Sequence, residues 1–436
     1  MSEHELSVFA GSARVGTLKY ESLDESFAFD YDAGWQSNPS AFSISPHISM
    51  FSAETSSNTV RRFLENLLPE GRALDIVAST NQVSRNNIYG LIRELGRETS
   101  GALSFVLDDA VVSERKTRRR EITRAELKQR IDERAEIPFA VWDGRVRMSI
   151  AGYQDKLAVY MDGERMYLVE GELASTHILK PEPTAQRLSM LVANEHFGMS
   201  LAAHLGLVVA PVSILRVPDP VLMIERFDRV RVSEGMRKIH IIDVCQTLNL
   251  PVSYKYERNF GSGPDVRNIR EGVGFARLFS TVDYAVAKAV TRLALVRWAL
   301  FQFLLGNSDA HGKNVSFFCG AEGLALAPFY DLVSVVQYEG LDHELAMAYG
   351  DEFELSNIRP FDWARFAQQA HISRGVLARE MRRMGTAAPA AAAKLAAGDV
   401  YVGAEKGLVK EIADFVTQQA GKLVHMAPLM LKSESE

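Results

Sequence analysis

Asn307-Ser308-Asp309-Ala310-His311-Gly312-Lys313-Asn314 decides the reading of this chain. A long apolar segment around Leu293 to Leu305 runs into it and stops at Gly306. Asn stands five residues after Asp309, and Phe329-Tyr330-Asp331 follows a short apolar strand. Phosphoryl transfer from Mg-ATP needs that set. Asp309 accepts or orients the proton of an acceptor hydroxyl, and Asn314 and Asp331 hold magnesium against the phosphates. Magnesium is a hard cation that takes oxygen ligands. Such catalysis is mostly positioning and charge stabilisation, so base, metal and nucleotide must be held together.

Outward from this loop, the order of elements carries more weight than any one motif. A strand–loop–strand over Ser149 to Tyr160 comes first, with backbone N–H groups of Ala151, Gly152, Tyr153 and Gln154 available to cap phosphates. The strand His177 to Lys180 ends in a lysine suited to the α- and β-phosphates. A helix from about Ser189 to Leu205 carries Glu195, a candidate partner for Lys180. Glu225 to Phe227 forms a linking segment where Glu225 and Phe227 would meet the adenine edge. This is the serial layout of a two-lobed protein kinase. His311 has two readings, a contact to nucleotide or product phosphate, or a residue that orders the loop. Zinc is disfavoured, since no second His or Cys sits at ligand spacing.

Composition bounds the rest. A chain of 436 residues is too long for one core, so two or three subdomains are expected. A hydrophobic fraction of 47% and a net charge of −6 describe a globular chain with no global pull toward nucleic acid or membrane. Cys245 and Cys319 lack ligand spacing and read as buried thiols. The polar N-terminus is no signal peptide, and the segment with Arg297 and Gln302 is too short and polar to span a bilayer. A cytoplasmic protein is expected.

Residues 1–110 read as a small α+β subdomain. A hairpin joins Leu6–Ala10 to Arg14–Leu18 through Gly11-Ser12, a helix follows from Thr59 until Pro69-Glu70-Gly71, another spans 86–98, and Ala102–Leu107 is a strand. Residues 111–140 are charged, with Lys116-Thr117-Arg118-Arg119-Arg120; a nucleic-acid or partner contact is one reading, and a linker with a solvated helix from Arg124 to Arg134, begun by a capping-type Thr123, is the favoured one. Residues 141–240 form a β-rich nucleotide lobe and 241–436 a helical catalytic lobe, with ATP expected in the cleft between. Alanine-rich residues 387–397 suggest a tight helix contact or a loop. The expected fold class is α+β, a two-lobed protein-kinase-like fold with an added N-terminal α+β subdomain.

Several blocks resemble the HipA family of serine/threonine-kinase toxins. They are Phe63-Leu64-Glu65-Asn66-Leu67-Leu68-Pro69, Ser149-Ile150-Ala151-Gly152-Tyr153-Gln154-Asp155-Lys156, Thr176 to Lys180, Glu225-Arg226-Phe227-Asp228-Arg229, Asp243-Val244-Cys245-Gln246, Asp309 to Asn314, and Phe329-Tyr330-Asp331. They run nearly the whole chain in the family's order. They also cover the departures from ordinary kinases: Asn307-Ser308 where His-Arg is usual, His311 where Lys is usual, and one glycine in the phosphate loop.

The resemblance implies ATP and Mg²⁺ as cofactors, with Asp155, Lys156, Arg226, Gly312, Lys313 and Tyr330 joining the nucleotide site. It implies a protein substrate, an aminoacyl-tRNA synthetase such as glutamyl-tRNA synthetase, whose inhibition slows translation and favours persistence. Ser149 matches the serine that the family autophosphorylates, which disables the nucleotide loop, where a phosphate adds nearly two negative charges. A helix-turn-helix antitoxin is the implied partner and reaches operator DNA, with the toxin touching DNA only secondarily. Arg379, Arg382 and Arg383 are candidates for that contact, although a solvated helix face explains them as well. Two other readings stay open, a vestigial kinase-like scaffold or co-repressor, and a small-molecule kinase on the same fold.

Overall fold

The computed structural model describes residues 3–52, 54–97, 99–107, 118–147, 154–171, 173–232 and 235–433. Ser149, Ala151, Gly152 and Tyr153 lie outside them. The chain gathers into two compact units. The first comprises Met1–Pro181, Leu215–Val252 and Phe317–Ala327; the second comprises Glu182–Ile214, Ser253–Ser316 and Pro328–Glu436.

The first unit begins with the expected hairpin, longer than the sequence suggested. Glu3–Ala10 pairs antiparallel with Ala13–Glu21, placing Leu6 opposite Leu18. Ser26–Tyr31 and Leu103–Val106 complete a four-stranded sheet. The helix Ser57–Leu67 packs on it because Val60, Phe63, Leu64 and Leu67 recur at helical spacing and are buried. Ser56 caps its start by accepting from the Thr59 N–H. Pro69-Glu70-Gly71 does break the run, and a second helix, Gly71–Thr80, follows at once.

A six-stranded sheet forms the rest of this unit's frame. Its order is Val212–Arg216, Pro220–Glu225, His177–Pro181, Leu157–Asp162, Arg165–Glu170 and Arg118–Ile122. The last strand corrects one expectation. The charged stretch 111–140 is not simply a linker: Arg118–Ile122 pairs antiparallel with Arg165–Glu170. Ile122, and Leu127 and Ile131 of the helix Arg124–Asp132, enter the same core as Phe139, Trp142 and Leu179. Those three apolar side chains outweigh the charges around them, which stay at the surface. Arg120 pairs with Glu126 and Asp143, and Arg119 with Asp162. An arginine-rich edge strand also discourages further strand addition.

The hairpin Ser316–Gly320 with Gly323–Leu326 was expected within a helical lobe. It instead forms a three-stranded sheet with Ile241–Asp243, and its Phe317–Ala327 part belongs to the first unit. Asp243 and Gln246 make a capping box: the Gln246 N–H donates to Asp243 Oδ1 at 2.8 Å, and the Asp243 N–H to Gln246 Oε1 at 3.1 Å. Gln246 Nε2 also donates to the Phe63 carbonyl at 3.2 Å, and Asn66 Nδ2 to the Leu250 carbonyl at 3.0 Å. Two of the sequence blocks thus hold each other.

The second unit is mainly helical. Its core centres on Lys288–Leu305, with Phe303, Tyr349 and Trp363 in mutual ring contact at 4.7–6.3 Å. The helices Arg374–Ala396 and Glu405–Lys432 run against each other, and Ala388, Ala392, Ala420 and Ala427 are fully buried between them and their neighbours. The alanine-rich stretch is therefore a helix contact. Arg297 meets Glu380 at 2.9 Å, which accounts for a charge in an otherwise apolar helix. Cys245 and Cys319 are free and buried. Among the described residues no helix is long and apolar enough to cross a membrane.

Candidate active site

The loop Asn307–Asn314 starts where the helix Lys288–Leu305 must stop. Gly306 adopts φ +68°, a left-handed cap, and a Cβ there would lie 2.6 Å from Val336 and 2.7 Å from Phe415. Asn307 then turns inward. Its Nδ2 donates to Gln302 Oε1 at 2.9 Å, and its Oδ1 accepts the Asp309 N–H at 3.1 Å. Asn307 therefore fixes the backbone that carries Asp309. This is the physical role of the residue that departs from the usual kinase loop.

His311 accepts the Asn314 N–H at 3.0 Å and donates its own N–H to the Asp309 carbonyl at 2.9 Å. A single-turn helix, Gly312–Asn314, brings Asn314 round. Burial, and then the Lys255 cation, push the imidazole down to about 3, so it is neutral near pH 7. Its Nδ1 is buried without a hydrogen-bond partner among the described residues. Its backbone orders the loop, as that of any residue there could, and the orphaned ring nitrogen fits a site that a ligand completes.

Asp331 is brought to this loop by a separate route. Phe329 bridges Val209, with hydrogen bonds of 2.9 Å to the Val208 carbonyl and from the Ala210 N–H. The Tyr330 hydroxyl donates to the Lys313 carbonyl at 2.6 Å and lies 2.8 Å from Ser316 Oγ. Asp331 itself takes φ +60°, a conformation that non-glycine residues adopt at a cost and that clusters at functional positions. The outcome is a contact of 3.2 Å from Asn314 Nδ2 to Asp331 Oδ2. An amide that donates through nitrogen turns its oxygen the other way, so the pair presents oxygen atoms of the kind magnesium takes. Among the described residues there is no group of three His, Cys, Asp or Glu that could hold a metal. Magnesium, which keeps most of its water and takes one or two carboxylates, does not require one.

Most of the other nucleotide-site candidates belong to the first unit. Lys180 is next to last in the strand His177–Pro181, opposite Leu222. Lys156 is buried, Asp155 exposed and Gln154 half-buried at the foot of the strand Leu157–Asp162. These three line a recess with Pro69, Ala73 and Val77, the latter two from the N-terminal helix Gly71–Thr80. Glu225 ends its strand exposed. Phe227 is half-buried, edge-on to Phe318 at 6.0 Å. Arg226 is mostly committed elsewhere: its guanidinium grips Asp228 at 2.7 and 2.9 Å and donates to Ser175 Oγ at 2.9 Å. Glu195 is buried in the helix Leu191–His204 of the second unit. Arg383 pairs with Glu380 at 2.8 Å and donates to the Leu205 carbonyl at 3.2 Å; Arg379 and Arg382 are exposed.

Sequence reasoning missed Tyr256. Its hydroxyl donates to Asp309 Oδ1 at 2.6 Å. No spacing rule links residues 53 positions apart, so nothing short of the fold pairs them.

Comparison with known proteins gives the family. Residues 6–106 match the HipA N-terminal domain, and residues 148–392 match the HipA-like C-terminal domain. The serine/threonine-protein kinase toxin HipA of Shewanella oneidensis is 40% identical over 89% of this chain and 89% of its own. A putative kinase of Sinorhizobium fredii, Y4mE, is 31% identical over 92% of this chain and 93% of its own. A solved structure of the Shewanella HipA with HipB and operator DNA matches at a TM-score of 0.89 and 36% identity, covering 99% of this chain and all of that one. The kinase-like α+β fold is therefore that of HipA, and the chain belongs to the HipA-like kinase family.

Proposed function

We propose that this chain is an ATP-dependent protein serine/threonine kinase that acts as the toxin of a toxin–antitoxin pair. The observation that carries the reading is the contact at 3.2 Å between Asp331 and Asn314, the latter on the same loop as Asp309. The names of the relatives support it.

In the reaction, the acceptor hydroxyl oxygen bonds to the γ-phosphorus as the bond from that phosphorus to the β–γ bridging oxygen breaks. ADP leaves, and the hydroxyl proton passes to the Asp309 carboxylate. Asn314 and Asp331 would hold Mg²⁺, which would draw charge off the phosphates when bound. Lys180 neutralises the α- and β-phosphates, and Gln154, Asp155 and Lys156 form the foot of the phosphate loop. Phe227 offers an apolar face to adenine beside the backbone of Glu225. Arg226 serves there indirectly, by holding that segment through Asp228 and Ser175. Gly312, Lys313 and Tyr330 keep Asn314 and Asp331 in place.

The proposed protein target is an aminoacyl-tRNA synthetase, glutamyl-tRNA synthetase first among them, with arrest of translation and persistence as the consequence. Ser149 is the proposed site of inactivating autophosphorylation. A HipB-like helix-turn-helix antitoxin is the proposed partner, and it carries the contact to operator DNA; the support is the solved complex of the relative.

The test uses purified chain, Mg²⁺ and γ-labelled ATP, alone and with a panel of aminoacyl-tRNA synthetases. Asp309→Gln is the control, and the label is mapped by mass spectrometry. Label on Ser149 and on one synthetase, both lost in the control, is expected. Mg-ATP binding with no transfer to any protein would turn the reading toward a scaffold or a small-molecule kinase.

A further inference from the structure

We propose that Tyr256 is a positioning residue for phosphoryl transfer, holding the carboxylate of Asp309 in the orientation that receives the acceptor's proton. The inference rests on the kinase reading above and adds a residue that no loop motif contains.

The carboxylate of an aspartate turns easily about its last torsion, which is broad and roughly two-fold. Asn307 fixes the Asp309 backbone but leaves that torsion open. The Tyr256 hydroxyl closes it, through a hydrogen bond of 2.6 Å to Oδ1. A hydrogen bond to an ionised acceptor is short and strong, so it sets the carboxylate plane.

Tyr256 is itself held on every side. The Lys255 carbonyl accepts the Gly312 N–H at 2.9 Å, which ties residue 255 to the catalytic loop. The Tyr254 carbonyl accepts the Val273 N–H at 2.8 Å. A Cβ on Gly272 would stand 1.7 Å from the Tyr256 carbonyl oxygen, so the two backbones touch. Glu257, buried, accepts the Ala348 N–H at 2.8 Å and pairs with Arg270. The Tyr256 ring meets His311 edge-on at 5.1 Å and 88°, and Lys255 Nζ lies 5.2 Å from its centre. A tyrosine anchored through residues 254, 255 and 257 behaves as a fixed strut. It is not a mobile gate.

A strut predicts a particular kinetic signature. Losing it costs rate, because a small misplacement of a catalytic group slows the chemical step. Nucleotide binding is expected to be untouched, because Tyr256 acts through the Asp309 carboxylate on the acceptor's proton.

The experiment measures initial rates of self-phosphorylation by the full chain with γ-labelled Mg-ATP, across ATP concentrations. It compares the wild type, Tyr256→Phe, Asp309→Asn and the double variant, with a thermal melt of each. Tyr256→Phe should lower the maximal rate by about tenfold to a hundredfold. KM for ATP and the melting temperature should stay near wild type. The double variant should be no slower than Asp309→Asn alone, since the strut acts only through that carboxylate. A Tyr256→Phe rate equal to wild type overturns the inference and leaves the kinase reading standing. A melting temperature that falls together with the rate overturns it in favour of a structural role. Phosphate mapped onto Tyr256 in the wild type also overturns it, since the residue would then be an acceptor. A wild type that binds Mg-ATP and transfers nothing sinks the kinase reading first, and this inference with it.

Discussion

Asn314 and Asp331, seventeen residues apart in the chain, are joined by a hydrogen bond of 3.2 Å from Nδ2 to Oδ2. Each side chain reaches that point by a different path. Asn314 comes on the loop after the helix Lys288–Leu305, and Asp331 through the bridge between Phe329 and Val209. Their convergence is the most direct physical argument for a metal-assisted phosphoryl-transfer site in this chain.

Replacing Asp331 by Ala should therefore weaken the magnesium-dependent part of ATP binding far more than the magnesium-free part. Asn314→Ala, which removes the orienting donor as well as an oxygen, should weaken it by about tenfold to a hundredfold, the scale seen when support for a metal ligand is lost. Magnesium titrations of nucleotide binding, followed calorimetrically, read both. Equal affinities with and without magnesium in the wild type would sink the assignment of this pair.

Asp228 carries the second prediction. It is buried with Arg226 and Arg229, at 2.7 Å from each, and accepts the Gly101 N–H at 2.8 Å. Burial alone would raise its pKa, but the Arg226 and Arg229 cations outweigh that and hold the carboxyl well below the usual range. Asp228→Ala would leave two buried guanidinium groups facing each other without their anion. A loss of about 3–5 kcal/mol in folding stability is expected, the cost of breaking one partner out of a buried pair. Denaturant melts check it, and a loss below about 1 kcal/mol would show the cluster to be energetically idle.

His240 sets the third. Its Nε2 is 2.9 Å from the Ile44 carbonyl, and its ring stacks on Phe42 at 4.9 Å. Burial pushes its pKa down from 6.5 to about 4. The folded protein therefore keeps His240 neutral where the unfolded chain would already bind a proton. Stability from this residue is complete above pH 6.5 and drains away as the pH falls toward 4, by up to about 3 kcal/mol. His47 and His177, also shifted down by burial, act in the same direction. Stability measured across that range should fall more gently in His240→Leu than in the wild type. Parallel profiles would refute the assignment.

Much of this was legible along the chain. The hairpin at Gly11-Ser12, the helix read from Thr59, the apolar helix before Gly306 and the loop Asp309–Asn314 announced themselves through period and spacing, because each is a local consequence of its residues. The charged stretch around Arg118 misled, because three apolar side chains, Ile122, Leu127 and Ile131, settled its fate against a majority of charges. Only a short apolar strand was read before Asp331; the hairpin Ser316–Leu326 went unread for a related reason, since its pairing partner Ile241–Asp243 lies far away in sequence.

The sequence by itself determined which chemical groups exist and in what order. Asp309, Asn314, Asp331 and Lys180 were proposed from residue type, spacing and order, and the family from the resemblance of whole sequence blocks. Only the tertiary structure decided what each of them touches. It gave Asp309 to Tyr256 and Asn314 to Asp331, and it spent the guanidinium of Arg226 largely on Asp228. Local propensity is written in neighbouring residues, whereas hydrogen bonds between distant segments depend on how helices and strands pack, and packing is a property of the whole chain.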